Sequence, residues 1–134
     1  MKYLLDTNMC AYYLKDKYNI KNRLEKVGRK NCAISELTIA EFKYGIEKSD
    51  KKYKAKNKQL IETFIYSINV IPLITSFDIY AKEKVRLQKQ GNIIDDFDLL
   101  IGCTAIAHDM ILVTNNMNHF KRLNNIRLEN WALE

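Results

Sequence analysis

Four side chains spread along this 134-residue chain have the types to do chemistry together: Asp6, Glu41, Asp98 and Asn116. Three are carboxylates and the fourth is a carboxamide, so all four offer oxygen. Carboxylates crowded into one volume repel and raise one another's pKa values. A divalent cation removes that conflict, and an oxygen-only ligand set selects Mg²⁺ or Mn²⁺ rather than zinc. Each residue also has a plainer explanation. Asp6 follows an apolar run and can cap a helix. Glu41 stands three residues after Thr38, the spacing of a capping box, and on spacing alone the box is preferred. Asp95, Asp96 and Asp98 surround a helix start, where negative charge is favourable by about 0.3–1 kcal/mol. Asn116 suits a turn. Singly these signals are weak; together they place three acids and an amide at the ends of elements.

The elements that must position them read as alternating strands and helices. Residues 2–5 form a short buried strand that runs into Asp6-Thr7-Asn8. Residues 9–14 and Ile20–Val27 read as helices, the second stopped by Gly28. Residues 32–34 are a strand, and Ser35 or Thr38 caps the helix carrying Ile39, Phe42 and Ile46. A longer helix over 51–68 places Leu60, Ile61, Phe64, Ile65 and Ile68 on one face. A strand is expected over 70–74, closed at Pro72 or soon after it. A helix follows over 77–90, with Ile79, Val85 and Leu87 facing inward. Residues 97–108 form a strongly apolar helix, Ile111–Val113 a strand, and 123–128 one more short strand. This alternation predicts a single α/β domain over 1–134 with a mostly parallel sheet. In such folds ligands bind beyond the carboxyl ends of the strands, which is where Asp6 and Asn116 fall.

Lysine and arginine number 22 against 16 aspartates and glutamates, a formal charge of +6. Thirteen of those cations lie in two segments. Lys15, Lys17, Lys21, Arg23, Lys26, Arg29 and Lys30 form the first; Lys48, Lys51, Lys52, Lys54, Lys56 and Lys58 form the second. Such runs are usually solvated helix faces. Beside an acidic pocket, and interleaved with Tyr12, Tyr13, Tyr18 and Tyr53, they point instead to a polyanion with unpaired bases. Metal plus basic flanks suits phosphodiester hydrolysis. The longest nearly apolar stretch, residues 99–107, is far short of the roughly 20 that span a bilayer. The first apolar run ends at Asp6, too early for a secretory signal. Cys10, Cys32 and Cys103 are scattered, which argues against a disulfide framework or a zinc site and for a reducing cytoplasm. His108 ends an apolar helix as a dipole partner. His119 sits in a polar turn as a lesser candidate for touching substrate. The four glycines are too far apart for a nucleotide fingerprint.

In order along the chain, Leu4-Leu5-Asp6-Thr7-Asn8, Ser35 through Glu41 with Gly45, Phe97-Asp98-Leu99-Leu100-Ile101-Gly102, Leu112-Val113-Thr114-Asn115-Asn116, Phe120 and Leu128-Glu129-Asn130-Trp131 resemble the PIN-domain nucleases. Within them the resemblance is to the VapC-type toxins of VapBC toxin–antitoxin pairs. It covers nearly the whole chain. It implies a three-layer α/β/α domain and Mg²⁺-dependent RNA cleavage, with Mn²⁺ as a substitute. Asp6, Glu41 and Asp98 match the family's acidic metal positions. Asn116 matches a fourth position that is often aspartate, which leaves one fewer negative ligand. Thr7 and Thr114 match supporting hydroxyls, and Asp96 is an extra acid that could replace part of the missing charge, although a helix cap is its preferred role. Asp109 stands where relatives often have glycine, a turn variation. The Thr114-Asn115-Asn116 tract with Trp131 resembles members that cut initiator tRNA in its anticodon region, halting translation. The family also implies a VapB-type antitoxin whose tail lies across the toxin and sets a basic side chain in the acidic pocket, and it implies homodimers.

The expected mechanism is hydrolysis, with Mg²⁺ held by Asp6 and Asp98 and by Glu41 directly or through water. Glu41 accepts the proton of the attacking water, and in-line attack leaves a 3′-hydroxyl and a 5′-phosphate. Two alternatives come from other classes. A phosphoryl-accepting receiver domain shares the length and layering but wants an acidic pair after the first strand, where Asp6 stands alone. A non-catalytic RNA-binding module would use the basic runs and leave Asp6, Glu41 and Asp98 unexplained.

Overall fold

Three consecutive apolar residues make β1 (Tyr3–Leu5), and all three are buried in the computed structural model, which describes residues 1–133. A strand apolar on both faces belongs inside a sheet covered on both sides. The chain then turns straight into α1 (Thr7–Leu14), because the Asp6 carboxylate Oδ1 accepts a 2.8 Å hydrogen bond from the Met9 N–H. Helix α2 (Ile20–Val27) stops at Gly28, whose φ of +96° suits glycine. Strand β2 (Cys32–Ser35) leads into α3 (Glu36–Lys48), capped by Ser35 rather than Thr38 through the Leu37 N–H at 3.0 Å. Then follow α4 (Lys54–Ser67), β3 (Asn69–Ile71), α5 (Phe77–Lys89), α6 (Asp96–Ala107), β4 (Ile111–Val113), α7 (Met117–Phe120) and β5 (Arg127–Glu129).

The five strands are all parallel, in the order β3-β2-β1-β4-β5. Alternation along β1 sends Tyr3 and Leu5 to one face and Leu4 to the other. The first face packs with Met9, Ile20, Leu24, Phe42 and Phe64, from α1 to α4. The second packs with Leu87, Leu99, Ile101 and Phe120, from α5 to α7. The expected three layers are therefore present. From β1 the chain steps outward to β2 and β3, then returns to add β4 and β5 on the opposite side of β1. That reversal opens a crevice at the carboxyl ends of β1 and β4.

Several boundaries differ from the sequence reading. Strand β3 begins at Asn69 and ends at Ile71, since Pro72 has no N–H to continue a ladder. Helix α4 starts only at Lys54, after a turn. Val85 is half exposed rather than buried. The last strand is Arg127–Glu129, while Leu123 is buried under α6. Helix α7 has only four residues, below the length at which periodicity is readable. Gly102 explains how this segment sits so tightly: a Cβ there would run into the Leu123 side chain and crowd Phe120. Asp109 takes φ +53°, a left-handed turn that aspartate tolerates. Its carbonyl and carboxylate accept from Arg127 Nη2 at 2.6 and 3.0 Å.

Candidate active site

Asp6 lies at the mouth of the crevice, yet only 5% of it is exposed. One oxygen is committed to capping α1, so the helix-cap explanation holds, and it does not exhaust the residue. Burial pushes the Asp6 carboxyl up to about 6 from 3.8. The Thr114 hydroxyl and the Met9 N–H pull it down, and the charges of Asp98 and Glu41 push it further up. Three carboxylates, from the turn after β1 and from α3 and α6, therefore share one field.

Glu41 does not form a capping box. Helix α3 starts at Glu36, which puts Glu41 in the second turn. Its Oε1 instead accepts a 2.6 Å hydrogen bond from the Thr7 hydroxyl. That hydroxyl also lies 2.9 Å from the Thr38 Oγ1. Thr7, adjacent to Asp6, thus fixes Glu41 on the Asp6 side of the crevice.

Asp98 occupies the first turn of α6 and is 39% exposed. Partial burial and the neighbouring Asp95 raise its pKa, while His119 lowers it. Asp95, not Asp96, is the cap, accepting from the Phe97 N–H at 3.2 Å. Asp96 is not brought into the site. It turns outward, where Lys84 Nζ at 2.9 Å and the Tyr80 hydroxyl at 3.0 Å donate to it.

Thr114 closes β4 and is fully buried, and its Oγ1 accepts the Asn116 N–H at 2.9 Å. Asn116 Nδ2 lies 2.8 Å from His119 Nδ1, and that nitrogen is 3.6 Å from Asp98 Oδ2. His119, expected only in a polar turn, thus lies beside Asp98 and Asn116. The available signal was its spacing of three from Asn116, which one helical turn brings together. When His119 Nδ1 carries no proton it accepts from the amide nitrogen, which leaves the Asn116 carbonyl oxygen available.

Among the described residues no three His, Cys, Asp or Glu side chains form a ready-made metal cage. Mg²⁺ does not need one, because it keeps several waters and binds through one or two carboxylates. An all-oxygen set around a buried carboxylate under like-charge repulsion fits that ion. Asp6 and Asp98 are the residues that would hold it.

Comparison with known proteins gives a consistent picture. The profile described as PIN domain matches residues 3–126. The chain is 40% identical over 134 residues to Ribonuclease VapC2 of Rickettsia felis, covering 98% of each chain. It is 32% identical to the tRNA(fMet)-specific endonuclease VapC of Shigella flexneri, covering 98% of this chain and 99% of that one. The fold superposes with a TM-score of 0.89 on the crystal structure of VapBC2 from Rickettsia felis bound to a DNA fragment from their promoter. That match is 38% identical and covers 98% and 99% of the two chains.

Proposed function

The chain belongs to the PIN-domain family and, within it, to the VapC ribonucleases, and on that premise we propose that it is a divalent-cation-dependent endoribonuclease that cuts tRNA. The observation that carries this reading is the burial of Asp6 within the field of Asp98 and Glu41 at the carboxyl ends of β1 and β4. Membership of this family leaves the receiver-domain alternative without support.

Asp6 and Asp98 would hold Mg²⁺ or Mn²⁺, with Glu41 beside them. When bound, such an ion supplies charge neutralisation and a more acidic water at neutral pH. The residues of the chain do the rest. Glu41, held by Thr7 at 2.6 Å, accepts the proton of the attacking water. Thr114 and the Met9 N–H orient Asp6. Asn116 is tied to His119 at 2.8 Å, whose Nδ1 lies 3.6 Å from Asp98. The excess of cations, 22 against 16 acids, attracts the polyanion that an acidic pocket alone would repel.

The substrate proposed is tRNA, and initiator tRNA in particular because a full-length relative is named tRNA(fMet)-specific endonuclease; the cut in its anticodon region is proposed from the resemblance of the Thr114-Asn115-Asn116 tract with Trp131. Loss of that tRNA would stop translation. The partner proposed is a VapB-type antitoxin, supported by the VapBC complex that this fold matches. An apolar groove between α1, α3 and α4, lined by Leu14, Phe42, Ile46, Leu60 and Ile61, offers it a seat. No helix is long and apolar enough to cross a membrane among the described residues.

The test is cleavage of a tRNA pool by the purified chain, with fragment ends sequenced. Asp98→Ala should cut at least about a hundredfold more slowly, and a chelator should stop the wild type. Undiminished cleavage in either case would refute the assignment.

A further inference from the structure

The connection between α1 and α2 is strained. Asp16, Tyr18 and Asn19 all adopt left-handed backbone, with φ of 56°, 57° and 56°. Asparagine and aspartate tolerate that region, but a bulky tyrosine there is uncommon and strained. Glycine would remove the strain. The loop is nevertheless held by backbone hydrogen bonds from Lys17 to Tyr12 and from Ile20 to Lys17, at 2.9 and 3.2 Å.

This conformation puts the Tyr18 ring at the surface, 41% exposed. It meets Tyr12 edge to face, with centroids 4.9 Å apart and planes at 71°. The Tyr12 hydroxyl accepts a 2.9 Å hydrogen bond from Asn115 Nδ2. Asn115 directly precedes Asn116, so the aromatic pair is tied to the rim of the acidic crevice. Lys15 and Lys17 are exposed on the same loop. An aromatic face, flanking cations and a rigid tether to the reaction centre together suit a base beside a phosphodiester.

Building on the ribonuclease reading, we propose that Tyr12 and Tyr18 form a stacking subsite for an unpaired nucleobase of the RNA strand next to the bond that is cut. Tyr18 supplies the face, Tyr12 backs it, and Lys15 and Lys17 receive the adjoining phosphates. Stacking is tolerant of base identity, so the subsite selects unpaired over paired RNA.

The test uses the full chain carrying Asp98→Asn to prevent cleavage. The probe is a short unstructured RNA containing a fluorescent adenine analogue, titrated alongside a duplex of the same sequence. Tyr18→Gly removes the ring and relieves the backbone, so it folds. It should weaken single-strand binding by about tenfold and abolish quenching of the analogue. Tyr18→Phe should restore both to within about twofold, and duplex binding should not change. Equal single-strand affinity for Tyr18→Gly and its parent would overturn the subsite alone. So would a loss as large in Tyr18→Phe, or a loss of antitoxin binding with RNA affinity intact, which would place the ring in a protein interface. A wild-type chain that neither binds nor cuts RNA with Mg²⁺ present would overturn the subsite and the ribonuclease reading together.

Discussion

At the scale of residues, Asp6 carries two duties that oppose each other in the free protein. Its side chain starts α1, and its buried charge weakens the fold. Because its pKa lies near 6 in the folded chain against 3.8 ordinarily, the folded state takes up this proton more readily than the unfolded one. Stability from this group is therefore gained as pH falls through 6 and is absent above it. Asp6→Asn keeps the cap and removes the charge. It should raise the stability of the metal-free chain at neutral pH by roughly 2–3 kcal/mol, read as a higher thermal midpoint, while abolishing cleavage. The wild type should narrow that gap on acidification to about pH 5. His119 makes a second prediction. His119→Phe keeps the ring against Phe120, whose centroid is 5.8 Å away, but removes the ring nitrogen that bonds Asn116. Mn²⁺ affinity should fall several-fold and recover in His119→Asn, whose oxygen can take the same bond. Asp6 and Asp98 were legible in the sequence because acids at predicted element ends are conspicuous. Glu41 was legible only through family resemblance, since its spacing from Thr38 imitates a capping box. His119 was legible only as a lesser candidate, because nothing local announces α7.

At the scale of elements, the site depends on how α5, α6 and the segment after α7 lock together. Glu83 is buried on α5 and accepts from Arg86 Nε at 2.6 Å and Nη2 at 2.9 Å, and from the Asn124 N–H at 2.7 Å. Arg86 Nη2 donates in turn to the Arg122 carbonyl at 2.7 Å. These bonds lower the Glu83 pKa, Arg86 foremost, so the clamp is intact at neutral pH and fails as pH drops through that lowered value. Glu83→Gln should cost about 1–3 kcal/mol, measured by urea denaturation, and should lower activity through displacement of His119. Long helices with apolar faces and the central strands were readable from periodicity. The ends of β3 and β5 were not, because three-residue strands offer too little alternation and Pro72 acts one residue earlier than the pattern suggests.

At the scale of the whole molecule, five parallel strands reverse direction of travel between β1 and β4, and the acids gather at that reversal. Layering and parallel pairing follow from alternating elements, so the fold class was accessible from sequence. The strand order was not, because it depends on which side of β1 the returning chain chooses. On this reading Asp6 and Asp98 share a cation in this crevice. The most direct measurement is Mn²⁺ binding to the purified chain by electron paramagnetic resonance. The wild type should bind Mn²⁺, Mg²⁺ should compete, and both Asp6→Asn and Asp98→Asn should lose the bound signal. Unchanged Mn²⁺ affinity in either variant would contradict the account.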